Sequence, residues 1–345
     1  MNSRERMSRV MNHELPDRLP TFEYAIDRRV IEGICPGGSY ADLVEQLDLD
    51  AIAAWEPSIG AYVPGMVDSL APGARFVDEW GVEREATGEM YAYALEKEPL
   101  VRDEADLKRY VPPDPLAESR FTLLREYIHR FSGEKLIAYS IVDMFELSKY
   151  LMGLQEFLIA WLERPQLIQK LLDMTTEWVI QVARKAIDIG ADMIIDMSDI
   201  AHKSGPFMRP ELLARHFVPC LKRVADAVKT RRAYVFYHTH GNIWSIIEAL
   251  VNTGIDVLNP IDPDAGMDIG TVKKRFGSAV VVGGNVSTNV LSMASREEVV
   301  ALVKDTIAAA SPGGGHILMG SSSMLASVKP ENYRAMVETA RTFKY

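Results

Sequence analysis

The stretch Ala233-Tyr-Val-Phe-Tyr-His-Thr-His-Gly-Asn242 decides how the rest of the chain is read. Residues 234–237 are a run of strand formers, and Gly241-Asn242 turns the chain into the apolar, helix-like stretch 243–250. A short apolar strand, a polar loop and a helix together make the unit of a parallel sheet covered by helices. Side chains two apart on a strand share a face, so His238 and His240 present two imidazoles to one point. Two imidazoles converging where a buried strand meets a loop are half of a metal site.

The same unit recurs on both sides of this stretch. Residues 19–22, 51–55, 136–142, 193–196, 256–259, 279–283 and 316–319 are further short apolar runs, and helical patterns separate them. Gly190, Gly254 and Gly277 each stand where a helix ends and a strand begins. With the histidine strand this makes eight strands alternating with helices, apolar on both faces. Eight such units predict an α/β fold, a single (β/α)8 TIM barrel occupying residues 1–345 as one domain. Residues 75–95 break the rhythm: two strand-like runs flank Thr87-Gly88, the pattern of a β-hairpin excursion from the main sheet.

Composition narrows the function classes. The chain has 345 residues, 48% of them hydrophobic, without an apolar run approaching the roughly 20 residues that span a bilayer. The first ten residues are polar and carry Arg4, Arg6 and Arg9, unlike a signal peptide. Cys35 and Cys220 form no CxxC pair, which favours a reducing cytoplasm. A net charge of -10 argues against a nucleic-acid partner. No GxGxxG follows the first strand, and Gly313-Gly-Gly315 precedes a strand instead of opening a phosphate-binding helix. A cytoplasmic enzyme or small-molecule binder is expected, with neither membrane nor nucleic acid as partner.

In such a barrel chemistry gathers at the C-terminal strand ends. Those ends carry Glu23, Glu56, Asp143 with Glu146, Asp196 with Asp199, and His238 with His240, then Asn259, Asp262, Asn285 and Ser321 to Ser323. Acids, histidines and amides collected at one end describe a functional pocket. Glu23, Asn285 and Ser321 are its substrate-contact candidates. Tyr237 joins them, although with Phe236 and Trp244 it also reads as packing.

The termini of the sequence add a resemblance. Asn2-Ser-Arg-Glu-Arg, Met11-Asn-His-Glu-Leu-Pro-Asp-Arg-Leu-Pro20, Gly254-Ile-Asp-Val-Leu-Asn-Pro, Gly283-Gly-Asn-Val-Ser287 and Lys329-Pro-Glu-Asn-Tyr333 resemble the uroporphyrinogen decarboxylase superfamily. The resemblance implies a (β/α)8 barrel and two activities: cofactor-free decarboxylation of a porphyrinogen, or zinc-dependent methyl transfer with corrinoid proteins. The decarboxylases carry an Arg-Gln-Ala-Gly-Arg loop where this chain has Glu23-Tyr-Ala-Ile-Asp-Arg-Arg29, and a histidine where it has Ser321. The thiol-methylating relatives bind zinc through His-x-Cys and a later Cys, where this chain has His238-Thr-His240 and Ser321. The resemblance therefore implies zinc held by His238 and His240, and with the family's third ligand missing at Ser321, a carboxylate at a neighbouring strand end, Asp199 or Glu146, is the expected third ligand. Asp199, Glu146 and His202 become the catalytic candidates, His202 as proton donor or third ligand. The expected function is the methyltransferase component of a corrinoid-dependent system. It would act on a small methylated substrate such as a methoxylated aromatic, with the corrinoid supplied by a partner protein. The alternative is a metal-free decarboxylase of uroporphyrinogen or a related carboxylate.

Overall fold

The computed structural model describes residues 1–58, 69–95 and 98–345. Seven strands form one parallel sheet: Ala51–Trp55, Leu136–Val142, Met193–Ser198, Tyr234–Thr239, Val257–Asn259, Val281–Gly283 and His316–Ile317. They pair in chain order, each with the next. The alternation of side chains sorts the core into two parts. Ala51, Ala53, Leu136, Met193, Ile195 and Phe236 pack together inside the curl of the sheet. Ile52, Ile137, Ile194 and Val235 point outward against the helices. Both faces are therefore apolar, the reason these strands read as uninterrupted hydrophobic runs.

The helices follow from local signals. The longest, Pro165–Ile189, opens on a proline and ends at Gly190, whose φ of 134° suits glycine. It buries Leu167, Ile168, Leu171, Leu172 and Val179, spaced to make one apolar stripe. Helix Met144–Met152 begins at Asp143, whose carboxylate accepts from the Glu146 N–H at 2.9 Å. That cap fixes the helix directly above the end of strand Leu136–Val142.

The expected eighth strand at residues 19–22 is reduced to a single parallel bridge between Thr21 and Leu318. The reason is donor supply. Pro20 has no N–H, and the Thr21 N–H is taken by the Asp50 carboxylate at 2.9 Å. The segment still joins the outer strands: the Leu318 N–H donates to Pro20 O, and the Asp50 N–H to Thr21 O at 2.8 Å. The segment read as a hairpin near 75–95 is a three-stranded antiparallel sheet, Arg75–Val77, Glu83–Ala86 and Ala92–Ala94. No helix among the described residues is long and apolar enough to cross a membrane.

Candidate metal centre

Strand Tyr234–Thr239 carries His238 on its inner face, and His240 follows just past its end. Strand Met193–Ser198 lies beside it in register, Met197 opposite His238, so Asp199 emerges at the same level. One ligand atom each from Asp199, His238 and His240 lies within 4.8 Å of the others. The imidazole rings stand edge to face with centroids 4.9 Å apart. A cavity over these groups is lined also by Glu146, Tyr150, Met197, Ser322 and Ser323.

A hydrogen bond sets the orientation of the His238 ring, and an acidic neighbour lies against that of His240. The Asn259 amide N–H donates to Gly283 O, which turns its oxygen toward His238 Nδ1 at 2.6 Å. An amide oxygen only accepts, so Nδ1 carries the proton and Nε2 keeps the lone pair that a metal needs. Burial, and then the charge of His240, push the His238 pKa down to about 4, against the pull of Asp199 and Asn259. His240 Nδ1 lies 3.6 Å from Asp262, and its own backbone N–H donates to Asp199. Burial pulls the His240 pKa down, but Asp262, Asp199 and Asp264 outweigh it and leave it raised.

Glu146 is held by Lys149, whose Nζ lies 2.5 Å from its carboxylate. Burial alone would lower the Lys149 pKa, and Glu146 more than restores it. Tyr150, which lines the cavity, has the Arg84 guanidinium over its ring, 4.4 Å from the ring centre.

The remaining sequence candidates lie elsewhere. His202 is exposed on a short antiparallel turn, where its Nδ1 accepts from the Ser204 N–H. Tyr237 faces outward into the helix layer, one residue off the inner face that holds His238. Glu23 is buried, with one carboxylate oxygen accepting from the Gly320 N–H, beside Tyr333 and Tyr40. Asn285 donates to Ile261 O and lines a separate groove with Pro263 and Ile269. Ser321 Oγ accepts from the Thr288 N–H, so its neighbours Ser322 and Ser323 face the cavity in its place. Asn259 and Asp262, noted in the sequence only as polar strand ends, are the groups that orient the histidines. Register is the signal that could have found Asn259, since it pairs directly with His238.

Residues 82–343 match the uroporphyrinogen decarboxylase (URO-D) family. The chain belongs to that family. Among curated members, methylcobamide:CoM methyltransferase MtbA of Methanosarcina acetivorans is 25% identical over 242 residues, 67% of this chain and 66% of that protein. MtbA of Methanosarcina mazei is 24% identical over 220 residues, 63% of this chain and 61% of the relative. Uroporphyrinogen decarboxylase of Dechloromonas aromatica is 28% identical over 187 residues, 52% and 49% of the two chains. The chain thus spans just under two thirds, or less, of the length of these curated family members. Among solved structures, a methyltransferase from Methanosarcina mazei has the same fold, with a TM-score of 0.80 at 16% identity over 99% of both chains.

Proposed function

We propose that this family member is the methyltransferase component of a corrinoid-dependent system, working from His238, His240 and Asp199 with zinc. It would move a methyl group between a small methylated substrate, for example a methoxylated aromatic, and a corrinoid carried by a partner protein. The observation that carries the reading is the convergence of two imidazoles and one carboxylate in a single cavity. The donor set fits zinc: two nitrogens and one oxygen, each histidine oriented through its other ring nitrogen. Zinc bound there would act as a Lewis acid on the methyl-bearing heteroatom, or lower the pKa of an acceptor thiol. The MtbA relatives, named as methylcobamide:CoM methyltransferases, support the reaction class.

The chain's own residues supply the rest. Asn259 keeps His238 in one tautomer, and Asp262 fixes the plane of His240. Glu146, paired with Lys149, is the cavity's further carboxylate for taking or returning a proton. We read the Thr21 bridge as a rudimentary eighth stave of one barrel domain, and the free cysteines as consistent with a cytoplasmic home. Porphyrinogen decarboxylation fits less well, because a substrate rich in carboxylates needs cations. Among the described residues lining the cavity there is no arginine or lysine.

The test is zinc content of the purified protein together with zinc-dependent consumption of methylcobalamin by a panel of small thiols and phenols. Stoichiometric zinc and turnover support the reading, whereas a metal-free protein inert toward methylcobalamin removes it. A finer expectation concerns Asn259. Replacing it by Ala frees the His238 tautomer and should weaken zinc binding about 10- to 100-fold. Calorimetric titration measures this, and unchanged affinity would mean Asn259 does not orient the ligand.

A further inference from the structure

The buried face of the small antiparallel sheet carries an arginine at its middle. Along strand Glu83–Ala86 the side chains alternate, Arg84 and Ala86 buried, Glu83 and Glu85 half-exposed. Phe76 and Ala94 lie directly opposite Arg84 on the two flanking strands. Arg84 is 0% exposed, and its Nε donates to Asp78 at 2.6 Å. Its two terminal nitrogens have no hydrogen-bond acceptor among the described residues. Guanidinium nitrogens left without an acceptor in a dry interior demand an explanation.

The explanation is an aromatic face. The Arg84 guanidinium carbon lies 4.4 Å from the ring centre of Tyr150, and Tyr150 lines the cavity with Glu146, Asp199 and both histidines. The electron-rich face of a ring attracts a cation, most strongly where water is excluded, and so stands in for the missing acceptors. Lys149 is 5.3 Å from the same ring centre, but its ammonium is engaged by Glu146. We propose that Arg84 is a positioning residue: its contact with Tyr150 fixes one wall of the cavity and so sets how tightly small substrates bind there. The small sheet is thereby part of the site, although none of its strand residues lines the cavity. The proposal rests on the methyl-transfer reading only for the substrate that the wall meets.

Holding the small sheet in place is a task that other contacts already perform. Trp80 packs against Trp178 with ring centres 4.9 Å apart, and its indole N–H donates to Ser58 Oγ at 2.9 Å. Asp78 accepts from the Trp80 and Val82 N–H groups, at 2.9 Å each, through the oxygen that Arg84 does not use. The turn between the first two strands therefore closes without the guanidinium. What Arg84 adds is the contact with Tyr150.

Removing Arg84 alone would leave Asp78 buried and unpaired, so the test neutralises both partners. Asp78→Asn with Arg84→Gln keeps a donor and an acceptor facing each other and removes the cation. The first readout is KM and kcat for the thiols and phenols that consume methylcobalamin. The neutralised pair should raise KM about 5- to 30-fold, the worth of a desolvated cation–π contact, with kcat and zinc content unchanged. In a Tyr150→Leu background the same neutralisation should change KM by less than about twofold, because the contact is already gone. The second readout needs no turnover. Ring flipping of Tyr150, followed by NMR of ring-labelled tyrosine and assigned through Tyr150→Phe, should speed up once the cation is removed. If the neutralised protein fails to fold, Arg84→Lys carries the same comparison, since it keeps a charge for Asp78 but not the flat guanidinium on the ring. An unchanged KM, or equal increases in both backgrounds, overturns the proposal. A protein that consumes no methylcobalamin but flips Tyr150 faster on neutralisation overturns the methyl-transfer reading alone, and one whose flipping is also unchanged overturns both.

Discussion

Replacing His238 or His240 by Ala should abolish zinc retention while leaving the sheet folded. The loss should exceed the roughly 10- to 100-fold expected for a supporting partner, because a bond to the ion itself disappears. His238 is buried against Tyr24, with ring centres 5.3 Å apart, so its removal also costs some packing. Metal analysis of both variants beside circular dichroism separates the two effects. Wild-type zinc content in both would end the metal reading and the preference for methyl transfer with it. In the zinc-free protein the two histidines should take up protons in two separate steps. His240, raised by its acidic neighbours, accepts a proton first as pH falls, and His238 follows only near its value of about 4. From sequence alone both histidines would be expected to titrate together near their common unperturbed value of about 6.5. A single step there, followed by NMR of the imidazole protons, would show that the neighbours do not divide the pair.

Much of this was legible because strands have a period of two. The apolar runs at 51–55, 136–142 and 193–196 needed only their burial on both faces to be recognised. The shared face of His238 and His240 follows from the same period, and so does the exclusion of Tyr237. A residue adjacent to a cavity histidine must point to the other side. Glu23 obeys that rule as well, since Phe22 and Tyr24 pack inside the sheet. Treating every polar residue at a strand end as a pocket residue ignored the face it occupies. His202 and Ser321 lie in turns, where no period applies and hydrogen bonds to nearby N–H groups decide direction. The eighth strand was overcounted for a different reason: an apolar run says nothing about who takes its N–H groups. Glu146 does line the cavity of the histidine pair, but its Lys149 partner was not foreseen. That pair depends on a helix position that Asp143 sets.

The seam of the sheet yields the largest stability effect. Asp50 is fully buried just before strand Ala51–Trp55 and receives Arg6 at 2.6 Å, Arg18 at 3.0 Å and the Thr21 N–H at 2.9 Å. It thereby fastens helix Ser3–Met11 and the Thr21 segment to the first strand. Asp50→Ala leaves the Arg6 guanidinium, itself 5% exposed, with only Asp17 and the Met1 carbonyl, and strands the Thr21 N–H without an acceptor. Breaking a buried pair by removing one partner costs about 3–5 kcal/mol, mostly the uncompensated charge. Urea unfolding should register that loss. Asp50→Asn, which keeps an acceptor for Thr21 but not the charge, should fall between Asp50→Ala and wild type. Asp226→Ala is the control, because its pair with Lys222 is more than half exposed on both sides and contributes little. Zinc affinity of the folded Asp50→Ala protein should equal that of the wild type, since Asp50 lies at the end of the sheet opposite the cavity. An Asp50→Ala midpoint no lower than that of Asp226→Ala would show that this carboxylate does not hold the seam.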